Sequence, residues 1–327
     1  MPLFDDLVRE PAEKKDELQK ALLARIEGKT GRPVIAYLCT SKGDGGLMNQ
    51  EDKSALVNTI IGLQRGNGID VIIHSPGGFA EAAEMLAHIL HTEFDHVRFI
   101  VPHSAKSAAT MLCLSANELL LYPSSELGPT DPQISGSISG PAQSIIDGFE
   151  KIKKSVDSEK RLNGAFIPLL NKMDVATIQR CENAILYGKM LVKEWLGKYM
   201  FKGEANAEKK AEEIADYFSS HNIHLTHGKP IKLPDLQKLG IKVRNILTDF
   251  PDIPGLADDI WEFYCRYELI FWNSPILCKI IMSKDRMIAR HAASLQLQFG
   301  GPFPPMPPLP PMPPIPPPPT LPPSPSN

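Results

Sequence analysis

Apolar and polar residues alternate in blocks along the first part of the chain. Four short apolar runs have the length of buried strands: Pro33–Cys39, Asp70–His74, Val97–Pro102 and Glu118–Leu121. Three further segments place apolar residues at helical spacing: Glu51–Gln64, Phe79–Thr92 and Ser107–Ser115. Continuous apolar runs are typical of parallel strands that are buried on both faces, and helical spacing is typical of helices that pack by one face. This alternation predicts an α/β fold with a largely parallel sheet.

The segments that flank this block are predicted to be mainly helical. Residues 5–27 place leucine and isoleucine at helical spacing among charges, which predicts an amphipathic helix that packs on the body or on a partner. Helical patterns also dominate residues 148–219 and 256–297, while the Ser/Gly-rich residues 135–144 predict a flexible loop. The aromatic residues of 256–297 favour a core or an oligomer contact over a ligand site.

The composition changes at the C-terminal end. More than half of the chain's 31 prolines stand in residues 301–327, and proline excludes helix and sheet because it fixes φ and lacks an N–H. We predict a disordered polyproline II tail, which is either a spacer or a ligand for a proline-recognising partner. The predicted organisation is an N-terminal amphipathic helix (1–29), an α/β domain (30–245), a helical extension (246–300) and this proline-rich tail (301–327).

Composition also excludes several functional classes. The formal net charge of -3 over 327 residues gives no basic surface for nucleic-acid binding. Five scattered cysteines without a Cys-x-x-Cys pair favour reduced core thiols and a cytoplasmic protein over disulfides or a metal site. The sequence shows no secretory signal, apolar membrane span or Gly-x-x-x-x-Gly-Lys-Ser/Thr motif, so we expect no transmembrane segment, no cofactor and no ATPase domain.

Three short stretches carry the candidate chemistry: His74-Ser75-Pro76-Gly77-Gly78, Ala105-Lys106-Ser107-Ala108-Ala109-Thr110 and Gly128-Pro129-Thr130-Asp131-Pro132-Gln133. The glycine pair follows a predicted strand, where the lack of a Cβ lets backbone N–H groups approach a ligand. Ser107 opens a helical run, so its hydroxyl stands beside N–H groups that lack partners within the helix. Both features lie at the carboxyl ends of predicted strands, where α/β proteins place their sites. Together they offer a nucleophile and an oxyanion hole, which acyl transfer requires.

These stretches resemble the ClpP/crotonase superfamily. The run Ala116-Asn117-Glu118, followed by Gly128–Gln133, narrows the resemblance to the serine dehydrogenase proteinase (SDH) family, Clp-fold serine proteinases related to signal peptide peptidase. The resemblance covers roughly residues 30–245. It implies a ClpP/crotonase-like catalytic domain, built as a spiral of ββα units with added helices. It also implies a homo-oligomer with serine endopeptidase activity on peptide or protein substrates.

The family pattern assigns a role to each matching residue. Ser107 is the implied nucleophile, and the N–H groups of Gly78 (or Gly77) and Ala108 are the implied oxyanion hole. Asp131 fits the family's aspartate. The segment 226–231 is similar to the family's histidine segment, which makes His227 the implied base.

The sequence leaves a second possibility for the base. A Ser/Lys dyad uses a lysine whose pKa is lowered by burial. Four lysines follow Ser107 at the distance that signal peptide peptidases use: Lys151, Lys153, Lys154 and Lys160. Two further histidines near strand ends, His74 and His103, are expected to be structural, and Lys106 is expected to be a surface or interface charge.

Two other functions stay open beside the peptidase. A crotonase-like acyl-CoA enzyme would use the same oxyanion hole for an enolate, although it has no need of a serine nucleophile. A non-catalytic, oligomeric scaffold is the other alternative, because the chain departs from the family pattern close to the site. Ala109 stands in place of glycine, Lys106 in place of an apolar residue and Gly228 in place of an acidic residue.

Overall fold

The computed structural model describes residues 7, 15–41, 44–66, 68–174 and 176–292. The strands are β1 (Val34–Cys39), β2 (Ile69–His74), β3 (Val97–Val101), β4 (Ser104–Ala105), β5 (Glu118–Leu121), β6 (Glu126–Leu127), β7 (Gln133–Ile134), β8 (Gly140–Pro141), β9 (Ile231–Lys232), β10 (Val243–Asn245), β11 (Leu277–Ser283) and β12 (Met287–His291). The helices are α1 (Lys15–Thr30), α2 (Asp52–Ile60), α3 (Ala80–Glu93), α4 (Ala108–Leu114), α5 (Ala142–Glu159), α6 (Ile167–Leu170), α7 (Thr177–Trp195), α8 (Ala207–Ser219), α9 (His221–His224), α10 (Leu233–Lys238) and α11 (Leu256–Asn273). A π-helical turn, Leu196–Met200, continues α7.

Seven strands form the central sheet, in the order β10-β5-β3-β2-β1-β11-β12. The five strands from β10 to β1 are parallel. Beside β1, the strands β11 and β12 add an antiparallel edge, so that Ala36 lies opposite Ile72 of β2 and Met282 of β11. The predicted α/β class with a largely parallel sheet is therefore confirmed.

Alternate residues of the central strands feed two cores on opposite faces of the sheet. In β1, Tyr37 and Cys39 belong to a core that includes residues of α2, α3, α4, α7 and α8. Ala36 and Leu38 belong to the other core, which includes residues of α1 and α11. Because both faces are covered, the strand reads as an unbroken apolar run.

Short strands extend the sheet toward the glycine pair and Ser107. The strand β4 follows β3 after two residues, and a bridge between Ser75 and Ala105 keeps it beside the end of β2. Next to β4 lie β6 and then β9, while β7 and β8 form a separate hairpin. The two strands of this hairpin enclose residues 135–139, while β8 and the start of α5 occupy the rest of the predicted 135–144 loop.

The C-terminal part of the described chain differs most from the sequence expectation. Residues 256–297 are predicted to be mostly helical, but α11 ends at Asn273 and the strands β11 and β12 follow. The prediction was wrong there because all seven residues of β11 are buried, and a fully buried run has no periodicity that separates strand from helix.

The two ends of the chain lie partly outside the described residues. The predicted N-terminal helix over residues 5–27 corresponds to α1, which packs against α11. Residues 1–6 and 8–14, and the proline-rich tail, are outside the described residues. No helix in the described ranges is both long and apolar enough to span a membrane.

Candidate active site

Ser107 lies in a strained turn between β4 and α4. Its backbone has φ 52° and ψ −122°, a region that residues other than glycine rarely adopt. Such strain persists only where the surrounding structure enforces it, and it is common at catalytic sites. A sharp strand-to-helix turn of this kind lifts a serine hydroxyl away from the backbone and leaves it accessible.

Neither glycine of the pair leaves room for a side chain, because Gly77 lies against the Ser107 turn and Gly78 lies against Met48. A Cβ on Gly77 would lie 2.5 Å from the carbonyl oxygen of Lys106 and 2.7 Å from Cβ of Ser107. A Cβ on Gly78 would lie 2.3 Å from the carbonyl oxygen of Met48. Both glycines have positive φ, 100° and 153°. The two turns are therefore packed backbone against backbone, which explains why glycine is required at both positions.

Two backbone amides in these turns have no hydrogen-bond partner within the described part of the chain. The N–H of Gly77 donates to Oγ of Ser75 at 3.1 Å. Among the residues that the structure describes, no hydrogen bond engages the N–H of Gly78 or of Ala108. An oxyanion hole requires donors that are free in the resting state. Of the two glycines that the sequence offers, the geometry therefore favours Gly78.

A cleft of about 230 Å³ opens in front of these groups. Ser107, Ala108 and Gly78 line it together with residues from α7 and from the stretch around β7: Thr130, Pro132, Gln133, Ile134, Ala184, Tyr187 and Gly188. Most of these residues contribute apolar side chains, and the glycines contribute backbone atoms. The cleft thus offers an extended chain a place beside the Ser107 hydroxyl.

Asp131 is buried and binds two histidines. Its Oδ1 lies 2.6 Å from Nδ1 of His227, and its Oδ2 lies 3.0 Å from Nδ1 of His221. Gln133 donates from Nε2 to Oδ2 at 3.0 Å. Burial raises the pKa of Asp131, but the bonds from His227 and His221 outweigh it and leave that pKa below its usual value. The carboxylate is therefore ionised at neutral pH and orients both rings.

Asp131 stands between two residues that line the cleft, but neither His221 nor His227 lines the cleft itself. Thr130 and Pro132 line the cleft with Ser107, while the carboxylate between them is bound by the imidazoles. Within the described residues, no hydrogen bond joins Ser107 to either ring. Both rings use Nδ1 for Asp131, which leaves each Nε2 as a candidate base. Catalytic hydrogen bonds are often long before substrate binds.

The structure places the alternative lysines away from the cleft. Lys151, Lys153, Lys154 and Lys160 are exposed on or just after α5, and none of them lines the cleft. Lys153 lies 3.6 Å from Glu150 on the same helix. A dyad requires a buried amine near the serine, and these side chains lack that setting.

Three other residues singled out from the sequence have structural contacts. Lys106 is not a free surface charge, because its Nζ lies 3.0 Å from Glu126 and donates to the carbonyl of Leu127, which ties β4 to β6. His74 lies 3.1 Å from the carbonyl oxygen of Ser104, and its ring packs against those of His103 and Tyr264. Burial, with repulsion from His103, lowers the pKa of His74 to about 4.

Sequence reasoning missed the second histidine on Asp131. His221 lies six residues before His227, and a carboxylate has two oxygens, so the choice of His227 as the base leaves room for a second histidine on Asp131. The clustering of three histidines in residues 221–227 is the signal that was available. Nowhere in the described ranges do three or more His, Cys, Asp or Glu side chains group as a metal site requires.

Comparison with known proteins finds one matching family and several relatives. The model of the ClpP-like SDH-type serine proteinase family matches residues 46–256. The uncharacterized protein MJ0137 of Methanocaldococcus jannaschii is 26% identical over 239 residues, which are 72% of each chain. The uncharacterized protein MJ1495 of the same organism is 28% identical over 214 residues, 65% of this chain and 63% of that protein.

A solved structure also shows similarity to this chain. It is a mutant of the 1510-N membrane-bound stomatin-specific protease, with a TM-score of 0.34 and 15% identity. The match covers 60% of this chain and 74% of that protein. A likeness at this level adds nothing to the family match.

Proposed function

The chain belongs to the ClpP-like SDH-type serine proteinase family, and from this premise we propose that it is a serine peptidase with Ser107 as its nucleophile. The observation that carries the proposal is the strained backbone of Ser107 beside the free N–H groups of Gly78 and Ala108. This combination supplies the attacking hydroxyl and the donors for the oxyanion in one cleft.

The proposed reaction follows from these groups. Nε2 of His227 takes the proton of the Ser107 hydroxyl while Oγ attacks the carbonyl carbon of the scissile peptide bond. The N–H groups of Gly78 and Ala108 stabilise the oxyanion that forms. The protonated ring then gives its proton to the leaving amine, the C–N bond breaks, and a water molecule hydrolyses the acyl-enzyme by the same steps. Asp131 stays ionised and holds the ring.

We assign the base to His227 rather than to His221. His227 makes the shorter bond to Asp131, and its side chain is 30% exposed against 15% for His221. Because the His227 side chain is partly exposed, its Nε2 is free to accept the Ser107 proton once substrate is bound. In this assignment His221 holds the second carboxylate oxygen and keeps Asp131 from rotating.

Labelling with a fluorophosphonate probe tests the proposal. We expect the purified protein to be labelled, Ser107→Ala to abolish labelling, and Ser124→Ala, an exposed turn serine, to leave it unchanged. His227→Ala should lower the labelling rate at least about 100-fold, and His221→Ala by less. A folded protein that is not labelled would favour the scaffold function, and equal labelling of wild type and Ser107→Ala would rule out this nucleophile.

Assembly and compartment are part of the same proposal. We propose a homo-oligomer, supported by the exposed apolar side chains of Leu186 and Met190 on α7, 66% and 51% exposed. A cytoplasmic location is supported by the five cysteines, which are all free and buried. The composition of residues 301–327 supports a proline-recognising partner.

The acyl-CoA alternative is less well supported. Enolate chemistry requires the oxyanion donors, but it gives no role to a serine held in a strained turn. Binding of coenzyme A to the purified protein, with no labelling by the probe, would reverse this preference.

A further inference from the structure

A buried ion pair joins β11 to the start of α2. Nζ of Lys279 lies 2.7 Å and 2.8 Å from the two carboxylate oxygens of Asp52, and both side chains are only 1% exposed. A buried pair stabilises a fold only when its remaining hydrogen-bonding capacity is also used. Here the carboxylate accepts a further bond from the Tyr37 hydroxyl at 2.7 Å.

The two members of the pair hold the backbone on either side of Met48. Lys279 donates from Nζ to the carbonyl oxygen of Leu47 at 2.8 Å. Asp52 accepts from the N–H of Asn49 at 3.0 Å. Met48 lies between these two anchored peptide groups and is completely buried. Its backbone position is therefore set by charge-assisted hydrogen bonds, which are stronger than neutral ones.

Met48 in turn holds the glycine turn. Its N–H donates to the carbonyl oxygen of Gly77 at 2.8 Å, and its carbonyl oxygen accepts from the N–H of Phe79 at 3.0 Å. These bonds lie on both sides of Gly78, where a Cβ would be 2.3 Å from the Met48 oxygen. The turn has no room to shift without Met48, so the direction of the Gly78 N–H depends on it.

We infer that Lys279 and Asp52 are positioning residues that aim the Gly78 N–H into the oxyanion hole. The inference rests on the proposed function for the role of Gly78. Lys279 lies beyond residues 46–256 that the family model matches, so this part of the site comes from a strand that the family match does not include. A shift of about 1 Å in a reacting group can cost 100-fold in rate, and the network restrains such shifts.

A second buried pair provides a matched control. Arg98 donates to both carboxylate oxygens of Asp70 at 2.8 Å and 2.6 Å, and both residues are buried. Asp70 and Arg98 lie near the amino ends of β2 and β3, whereas Gly78 follows the carboxyl end of β2. Arg98→Met therefore breaks a similar pair without touching the proposed oxyanion hole.

The experiment compares Lys279→Met, the double variant Asp52→Asn/Lys279→Met and Arg98→Met. Lys279→Met leaves the buried Asp52 carboxylate without its cation and should lower the melting temperature. Arg98→Met should also lower it, although Arg32 still lies 3.9 Å from Asp70. The double variant removes both charges and should recover much of that loss, but it still lacks the bond to Leu47. We expect its kcat for a peptide substrate to stay about 10- to 100-fold below wild type with KM within about twofold.

Hydrogen exchange supplies a readout that does not depend on activity. In the double variant, the amides of residues 47–49 and 77–79 should exchange at least about tenfold faster than in Arg98→Met. Unchanged exchange there, or a wild-type kcat in the double variant, would overturn the inference. Faster exchange in a protein that the fluorophosphonate probe does not label would support the positioning of the turn and count against the proposed function alone.

Discussion

The two ends of the parallel sheet use buried charge in different ways. At the amino ends, Arg98 and Asp70 pair side by side on neighbouring strands whose backbone is regular. At the carboxyl ends, Lys279 and Asp52 bind the loop around Met48. Met48 in turn binds the turn at Gly77-Gly78, which packs against the strained backbone of Ser107. The first arrangement secures strand pairing, and the second fixes backbone that would otherwise relax. The strained backbone at the proposed site is thus held by the buried Lys279–Asp52 ion pair, which does not itself contact Ser107.

The largest effect on activity should come from adding one methyl group to the glycine turn that follows the carboxyl end of β2. Gly77→Ala places a Cβ against Lys106 and Ser107 at distances that real contacts never show, and at a positive φ. We expect hydrolysis to fall at least about 100-fold, because either the turn or Ser107 must move. Initial rates on a peptide substrate measure this.

The matched control at the amino end of β2 is Gly66→Ala. Gly66 precedes β2, and a Cβ there meets nothing within 4 Å. Its activity should stay within about twofold of wild type. If both variants were equally active, the close contact between the two turns would not matter for the reaction.

A smaller effect should appear in the pH dependence of stability, through His74. Its folded pKa of about 4 is below the ordinary 6.5, so the unfolded chain takes up a proton first as the pH falls. His74 therefore favours the folded state above pH 6.5, and that contribution is lost between pH 6.5 and 4 by up to about 1.4 kcal/mol per pH unit. Urea unfolding at pH 7 and pH 5 should show less difference in His74→Gln than in wild type.

His91, near the end of α3, where its ring stacks on Tyr199, provides a comparison. Burial lowers its pKa to about 4 as well, so His91→Gln should flatten the same pH profile. The two variants should differ in activity, since only His74 adjoins Ser104 and the strand that leads to Ser107. Identical pH profiles for wild type and both variants would contradict the burial of neutral rings.

The smallest effect should come from the lysines of α5. Lys153→Ala removes an exposed side chain whose one ion pair with a described residue is to Glu150 on the same helix, and such pairs contribute little. Activity should stay within about twofold and the melting temperature within about one degree. Loss of fluorophosphonate labelling in this variant, with folding intact, would instead support a Ser/Lys dyad.

Local patterns in the sequence predict much of the fold. The strands β1, β2, β3 and β5 are continuous apolar runs separated by helical patterns, and all four lie where the sequence places them. Ser107 and the glycine pair are predictable because a strand end followed by glycine or by a helical run is a local signal. The structure then adds the strained φ of Ser107 beside Gly77, which no local pattern encodes.

The remaining features depend on contacts between distant residues. Lys279 stands inside a buried apolar run, and its burial makes sense only beside Asp52, which is far away in the sequence. The choice between Gly77 and Gly78 depends on the Ser75 hydroxyl, which takes the first amide. The pairing of Asp131 with His221 as well as His227 likewise follows from tertiary structure alone.

The position of β11 in the sheet has a consequence for biosynthesis. Translation at about 5–20 residues per second delivers Lys279 on the order of 10–50 seconds after Cys39, its neighbour in the sheet. During that interval the edge of β1 that faces away from β2 has no partner strand, and the carboxylate of Asp52 lacks its cation. A nascent chain that already contains Ser107 therefore lacks the last support of the glycine turn. Late synthesis of this strand would delay completion of the proposed oxyanion hole until β11 has been made.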